Sequence, residues 1–235
     1  VSKDNGTVIY YCFRAACHIA GRISGPRNMD DIKAIQSNTS IGSHGRQPAQ
    51  DTPEWIMPWY FSSIALNEKA HEYLQKNNCL EAHYDRACTI MFDPRLNRVV
   101  FTIRRRSDGL CVDGAGRILK HVPGQPKWLR YNSSDYPFIV GNNSVAVIVE
   151  DCASACSVYA AGYTGVSLLG TNLKKAYISA LKGFEECFIC LDKDASKKSI
   201  DMYKALSPHV NVHIRFLQED LKYCNKEQIK NIIGI

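Results

Sequence analysis

The chain has 235 residues, 45% of them hydrophobic and 22% charged, with a formal net charge of +6. That length holds one large domain or two small ones, and the balance is ordinary for a soluble globular protein. No run approaches the ~18 apolar residues a membrane helix needs, and no basic-then-apolar leader opens the chain, so the expectation is a cytoplasmic protein with no membrane partner.

Residues 1–23 carry a short alternating stretch, Thr7-Val8-Ile9-Tyr10-Tyr11-Cys12-Phe13, followed by Cys17-His18 and Gly21. Residues 24–54, rich in Gly, Ser, Asn, Pro and Gln, read as a linker. A small α+β subdomain is expected over 55–140. It opens with a helical period from Asn67, a natural N-cap, to Gln75, with Ala70, Tyr73 and Leu74 on one side. The period then shortens to that of strands over 98–103 and 110–117, and the intervening Ser107-Asp108-Gly109 predicts a β-hairpin. Between Arg86 and Arg130 ten Lys and Arg face three Asp, a local excess of seven positive charges. Such a field favours a polyanion such as a nucleic-acid backbone; a solvated basic face is the competing reading.

Residues 141–235 alternate strictly. Strands at 145–149, 165–169, 187–191 and 211–216 precede helices near 152–162, 173–182, 196–206 and 225–233. Four βα units with short connections predict an α/β domain, a Rossmann-like parallel sheet covered by helices. Two strands release acids at their carboxyl ends, Glu150 after the first and Asp192-Lys193-Asp194 after the third. Ligands bind at the carboxyl ends of parallel strands, where the strand order reverses, and carboxylates gathered there suit Mg²⁺ and phosphates. Helix capping is the competing reading, and Asp194 before Ala195-Ser196 fits it. Asp220, after the fourth strand, is a further candidate. Of the ten cysteines, Cys152, Cys156, Cys187 and Cys190 sit inside apolar patterns and read as buried thiols. Cys187 and Cys190, three apart on a strand, point to opposite faces, which argues against a shared metal.

The Glu at the end of one strand, Leu169-Gly170-Thr171 at the next and Asp192-x-Asp194 at the third resemble the Toprim domain of topoisomerases and of bacterial and phage DNA primases. Upstream, Arg98-Val99-Val100-Phe101-Thr102-Ile103, Gly116-Arg117-Ile118-Leu119 and Pro126-Lys127-Trp128-Leu129 resemble, in order and spacing, the R-V-x-F-P-I, G-R-x-L and P-K-Y-L series of the primase catalytic core. The resemblance covers about residues 60–233. It implies a Toprim primase of phage type, making short RNA primers on a single-stranded DNA template from ribonucleoside triphosphates. Carried over by position, Glu150, Asp192 and Asp194, with Asp220 as a fourth candidate, would hold Mg²⁺ or Mn²⁺. Arg98, Arg117 and Lys127 would bind nucleotide or template phosphates. The family commonly has Glu-Gly-x-x-Asp where this chain has Glu150-Asp151-Cys152-Ala153-Ser154.

Tyr11 to Gly21 resembles the distal half of a primase zinc ribbon, with Cys12 and Cys17 as zinc ligands of an incomplete site. A start inside the ribbon is expected, since Val1 is an unusual first residue. No helicase segment follows the last helix, so a replicative helicase is expected as a separate protein, in the host cytoplasm if the chain is phage-encoded. Two other readings stay open. Asp192-x-Asp194-x-Ser196 also resembles the first motif of haloacid-dehalogenase phosphatases, and the altered Glu150–Ser154 motif suits a non-catalytic, recombination-mediator-like binder of nucleic acid.

Overall fold

The computed structural model describes residues 52–234, and nearer the start the backbone of three short strands. It divides into two units, Val1–Thr52 and Pro53–Ile235. In the first, β1 (Lys3–Asp4), β2 (Thr7–Tyr11) and β3 (Ala20–Ser24) form an antiparallel sheet in that order. Ser24 therefore ends a strand rather than opening the linker, because Thr7 pairs with it. Cys12 and Cys17, and with them the zinc expectation, lie outside the described residues, as does most of the 24–54 linker.

The second unit begins with β4 (Ser62–Ser63), α1 (Glu68–Lys76) and α2 (Leu80–Tyr84). Asn67 caps α1 as its sequence suggests, accepting from Ala70 N at 2.9 Å. The strands β5 (Ile90–Asp93), β6 (Arg98–Arg104), β7 (Cys111–Ile118) and β8 (Trp128–Arg130) follow, and with β4 they make an antiparallel sheet in chain order. The β6–β7 turn is the expected one: Asp108 accepts from Leu110 N at 3.0 Å, and Gly109 takes φ +73°, which its missing Cβ permits. Two glycines of β7 admit aromatic rings. A Cβ on Gly114 would come within 2.8 Å of the Trp55 ring, and one on Gly116 within 2.8 Å of Tyr131.

A second sheet comprises β9 (Phe138–Val140), β10 (Val145–Val149), β11 (Thr164–Ser167), β12 (Glu186–Ile189) and β13 (Asn211–Ile214), with helices α3 (Cys152–Ala160), α4 (Lys175–Leu181), α5 (Ser196–Leu206) and α6 (Lys226–Ile233). Its order is β13-β12-β10-β11-β9. The four later strands run parallel, and β9 joins β11 antiparallel. Strand β9 thus belongs to this sheet although it lies before the boundary expected at 140/141.

The faces alternate as a pleated strand requires. Ala146, Ile148, Cys187 and Ile189 pack with Tyr177, Leu181, Met202 and Leu206 of α4 and α5. Val147, Val149, Phe188 and Cys190 pack on the other side with α3 and α6. Cys187 and Cys190 accordingly occupy opposite faces. Helix α3 is buried almost throughout, so it lacks a polar stripe and is built of small residues. The core on that face continues through Phe138 into Phe101 and Ile90 of the antiparallel sheet, with the Phe101 and Phe138 rings 5.8 Å apart. Each fully buried Val or Ile contributes roughly 1.5–3 kcal/mol, so this continuity binds the two sheets into one cooperative body. No helix of the described residues is long and apolar enough to cross a membrane.

Candidate active site

The strand order reverses at β10: the chain passes from β10 to β11 on one side and returns to β12 on the other. Glu150 and Asp192 leave the carboxyl ends of these two adjacent strands at the crevice such a reversal creates. A cleft of about 180 Å³ opens there, lined by Glu150, Asp151, Leu169, Gly170, Asp192, Asp220 and Lys222 from the parallel sheet and by Lys127 and Trp128 from the antiparallel one. Hollows of about 280 and 290 Å³ elsewhere on the molecule gather no comparable set of charges.

Glu150 is held on both sides of its peptide. Its carbonyl accepts from Gly170 N and Ser167 Oγ, each at 3.0 Å, and its Oε1 accepts from Asp192 N at 3.3 Å. The turn that delivers Gly170 puts Leu169 at φ 57°, a left-handed conformation a bulky residue rarely adopts. Burial, reinforced by the charges of Asp194 and Asp220, raises the Glu150 carboxyl above its ordinary value; the Asp192 N–H and Lys198 oppose this. Asp192 is pushed up to about 7, first by burial and then by the charges of Glu150 and Asp220. Burial and carboxylate neighbours together make both groups reluctant to ionise without a cation.

The residues singled out in the sequence are distributed unevenly. Glu150, Asp192, Asp220 and Lys127 line the cleft. Asp194 is exposed on a 3₁₀ turn (Lys193–Ala195) and does not line it, though its charge reaches Glu150. Arg98 does not line the cleft and is not a surface cation. It is 1% exposed, and its guanidinium donates to the carbonyls of Gly116 at 3.0 Å, Pro126 at 2.8 Å and Lys127 at 3.4 Å. A fork-shaped donor among three carbonyls fixes the loop that presents Lys127. Arg117 is placed more suggestively. Its guanidinium carbon lies 5.9 Å from the Trp128 ring centre, while its Nε and Nη1 are buried with no hydrogen-bond partner.

Sequence reasoning missed Lys222 and Asp151. Asp151 caps α3, accepting from Ser154 N at 2.9 Å, and its other oxygen lies 3.0 Å from Lys222 Nζ. Lys222 also pairs with Asp220. Burial alone would depress the Lys222 ammonium, but Asp151 and Asp220 outweigh it and the net effect is upward. The available signal was the Asp220-x-Lys222 spacing beside a strand-end carboxylate.

Among the described residues no three acidic, histidine or cysteine side chains converge as a ready metal cage. The donor chemistry is of the kind a hard dication prefers: Glu150, Asp192 and Asp220 bring only carboxylate oxygens to the cleft.

No family model matches the chain, and no curated protein matches it. Among solved structures, its fold is similar to that of the DnaG primase catalytic domain, in a structure bound to single-stranded DNA. The TM-score is 0.55 at 17% identity, over 71% of this chain and 73% of that one. A weaker likeness, with a TM-score of 0.45 at 15% identity, covers 74% of this chain and 89% of one from an assembly of bacteriophage T7 lagging-strand DNA polymerase with primase domains of two gp4 subunits, bound to an RNA/DNA hybrid and dTTP. At 17% identity the first likeness is one of fold alone.

Proposed function

We propose that the chain is a Toprim-type primase of the phage kind, joining ribonucleotides into short RNA primers on single-stranded DNA. The observation that carries the reading is the cleft itself: Glu150 and Asp192, at the ends of two parallel strands, share it with Lys127 and Trp128 of a basic sheet. Glu150 and Asp192, with Asp194 within electrostatic reach, would hold Mg²⁺ or Mn²⁺, which would polarise phosphoryl oxygens. Lys127 places an exposed ammonium in the cleft with the carboxylates, where a triphosphate needs a counter-charge. Arg117 offers unspent donors to a phosphate oxygen, and Trp128 presents an apolar ring beside them. Arg98 positions Lys127 rather than touching substrate. Zinc at Cys12 and Cys17 belongs to this proposal only with a ribbon completed by further ligands, and a replicative helicase would be a partner, in the host cytoplasm.

The test incubates the full chain with single-stranded DNA, labelled ribonucleoside triphosphates and Mg²⁺ or Mn²⁺, beside Glu150→Gln and Asp192→Asn. Short RNA made by the parent and lost in both variants supports the reading. Phosphate released from a phosphoester without DNA would favour the phosphatase, and DNA binding with neither activity the non-catalytic binder.

A further inference from the structure

The cleft contains a fixed cation of its own. Lys222 is 8% exposed, and its ammonium lies between Asp151 and Asp220. Its backbone is anchored too: Asn78 Nδ2 donates to the Lys222 carbonyl at 3.1 Å and to that of Cys224 at 3.3 Å, and neighbouring Leu221 is fully buried. Asp151 cannot swing away without giving up the cap of α3. A lysine held at both ends, its head in an acidic cleft, is a point charge with a fixed address.

Four carboxylates line the cleft (Glu150, Asp151, Asp192 and Asp220) against the two ammoniums of Lys127 and Lys222. With all four deprotonated, as metal ligation requires, that leaves two uncompensated negative charges, which one dication neutralises and a second would over-fill. The carboxylates also divide by partner. Asp151 and Asp220 both pair with Lys222, Asp220 reaching Asp192 as well, whereas among the described residues neither Glu150 nor Asp192 has an ion pair.

We propose that Lys222 is a built-in substitute for a second metal ion, so that this cleft takes a single dication at Glu150 and Asp192, with Asp151 and Asp220 as counter-ions of the lysine. Asp220 then leaves the set of candidate metal ligands. The inference rests on the reading of the cleft as a dication site and sets its stoichiometry. Lys222 is a positioning residue here, acting on the metal count through the two aspartates it occupies.

The test is an equilibrium Mn²⁺ titration of the full chain, counting bound ions by loss of the free-ion electron paramagnetic resonance signal. One equivalent is expected for the parent, none for Asp192→Asn and two for Lys222→Gln. Removing a buried cation between two carboxylates threatens the fold, so the circular dichroism of Lys222→Gln is followed as well. If the variant is unfolded in chelator, Mn²⁺ should restore the parental spectrum with two ions bound. Two equivalents in the parent, one in a folded Lys222→Gln, or an unfolded variant that Mn²⁺ does not restore would each overturn the inference while leaving a dication cleft in place. No binding to the parent would instead overturn the reading on which it rests.

Discussion

Asp192 is the residue on which pH should act. Its folded-state carboxyl is raised to about 7, above the unfolded value near 3.9, so the folded state holds a proton more tightly across that window. Stability without metal is therefore greatest below the unfolded value and declines as pH rises toward 7. The residue is only part-buried, so solvent screening cuts the effect to about 1 kcal/mol. Asp192→Asn should raise the midpoint of thermal unfolding at pH 8 by roughly 2–4 °C and flatten its pH dependence between about pH 4 and 7. Dication binding runs the other way: the parent should lose Mn²⁺ affinity as pH falls through about 7, because the ligand must give up its proton. A pH series of thermal melts with and without Mn²⁺ measures both. Arg98 makes a second prediction at this scale. Arg98→Lys keeps the charge but cannot serve three carbonyls, so it should cost about 2 kcal/mol in denaturant unfolding and raise KM for nucleotide more than it lowers kcat.

Among the elements, the close approach of β11 to α3 is the least forgiving. A Cβ on Gly165 would fall 2.7 Å from the Ala155 carbonyl carbon and 2.8 Å from Ala155 Cα, both backbone atoms of a buried helix. Gly165→Ala should therefore destabilise by about 3 kcal/mol, read as a lower denaturant midpoint with an unchanged m-value. The strands at 145–149 and near 187 were legible because a doubly covered parallel strand is one unbroken apolar run, and the acids that end them stand out against it. Strand β9 was not legible: three residues after a proline give too short a period, and its pairing is fixed by β11, where Gly165 pairs with Val140 and Ser167 with Phe138 across a long intervening stretch of chain. Helix α2, five residues with no capping side chain, was equally silent. The burial of Arg98 lay beyond reach for another reason. Its partners are backbone carbonyls of β7 and of a loop further along the chain, and a sequence pattern does not record carbonyl directions.

At the scale of the whole molecule, the antiparallel and parallel sheets share one core, and the cleft takes residues from both. Residues 53–235 should accordingly melt in a single transition in calorimetry. A fragment of 141–235 alone, lacking β9 and exposing the edge of β11, should fail to give a cooperative melt. The same arrangement explains why the cleft was only half legible. Its acidic side was visible as strand ends, whereas its basic side reduces to Lys127 and Trp128, with Arg98 beneath them and Lys222 placed among the acids. The central claim is that Glu150 and Asp192 serve templated nucleotidyl transfer. Its most direct measurement is pyrophosphate release from ribonucleoside triphosphates, with and without single-stranded DNA and Mn²⁺. Release that needs both and falls at least ~100-fold in Glu150→Gln is the predicted result. Release that survives in Glu150→Gln and Asp192→Asn, or none from a folded chain carrying a completed N-terminal ribbon, would contradict it.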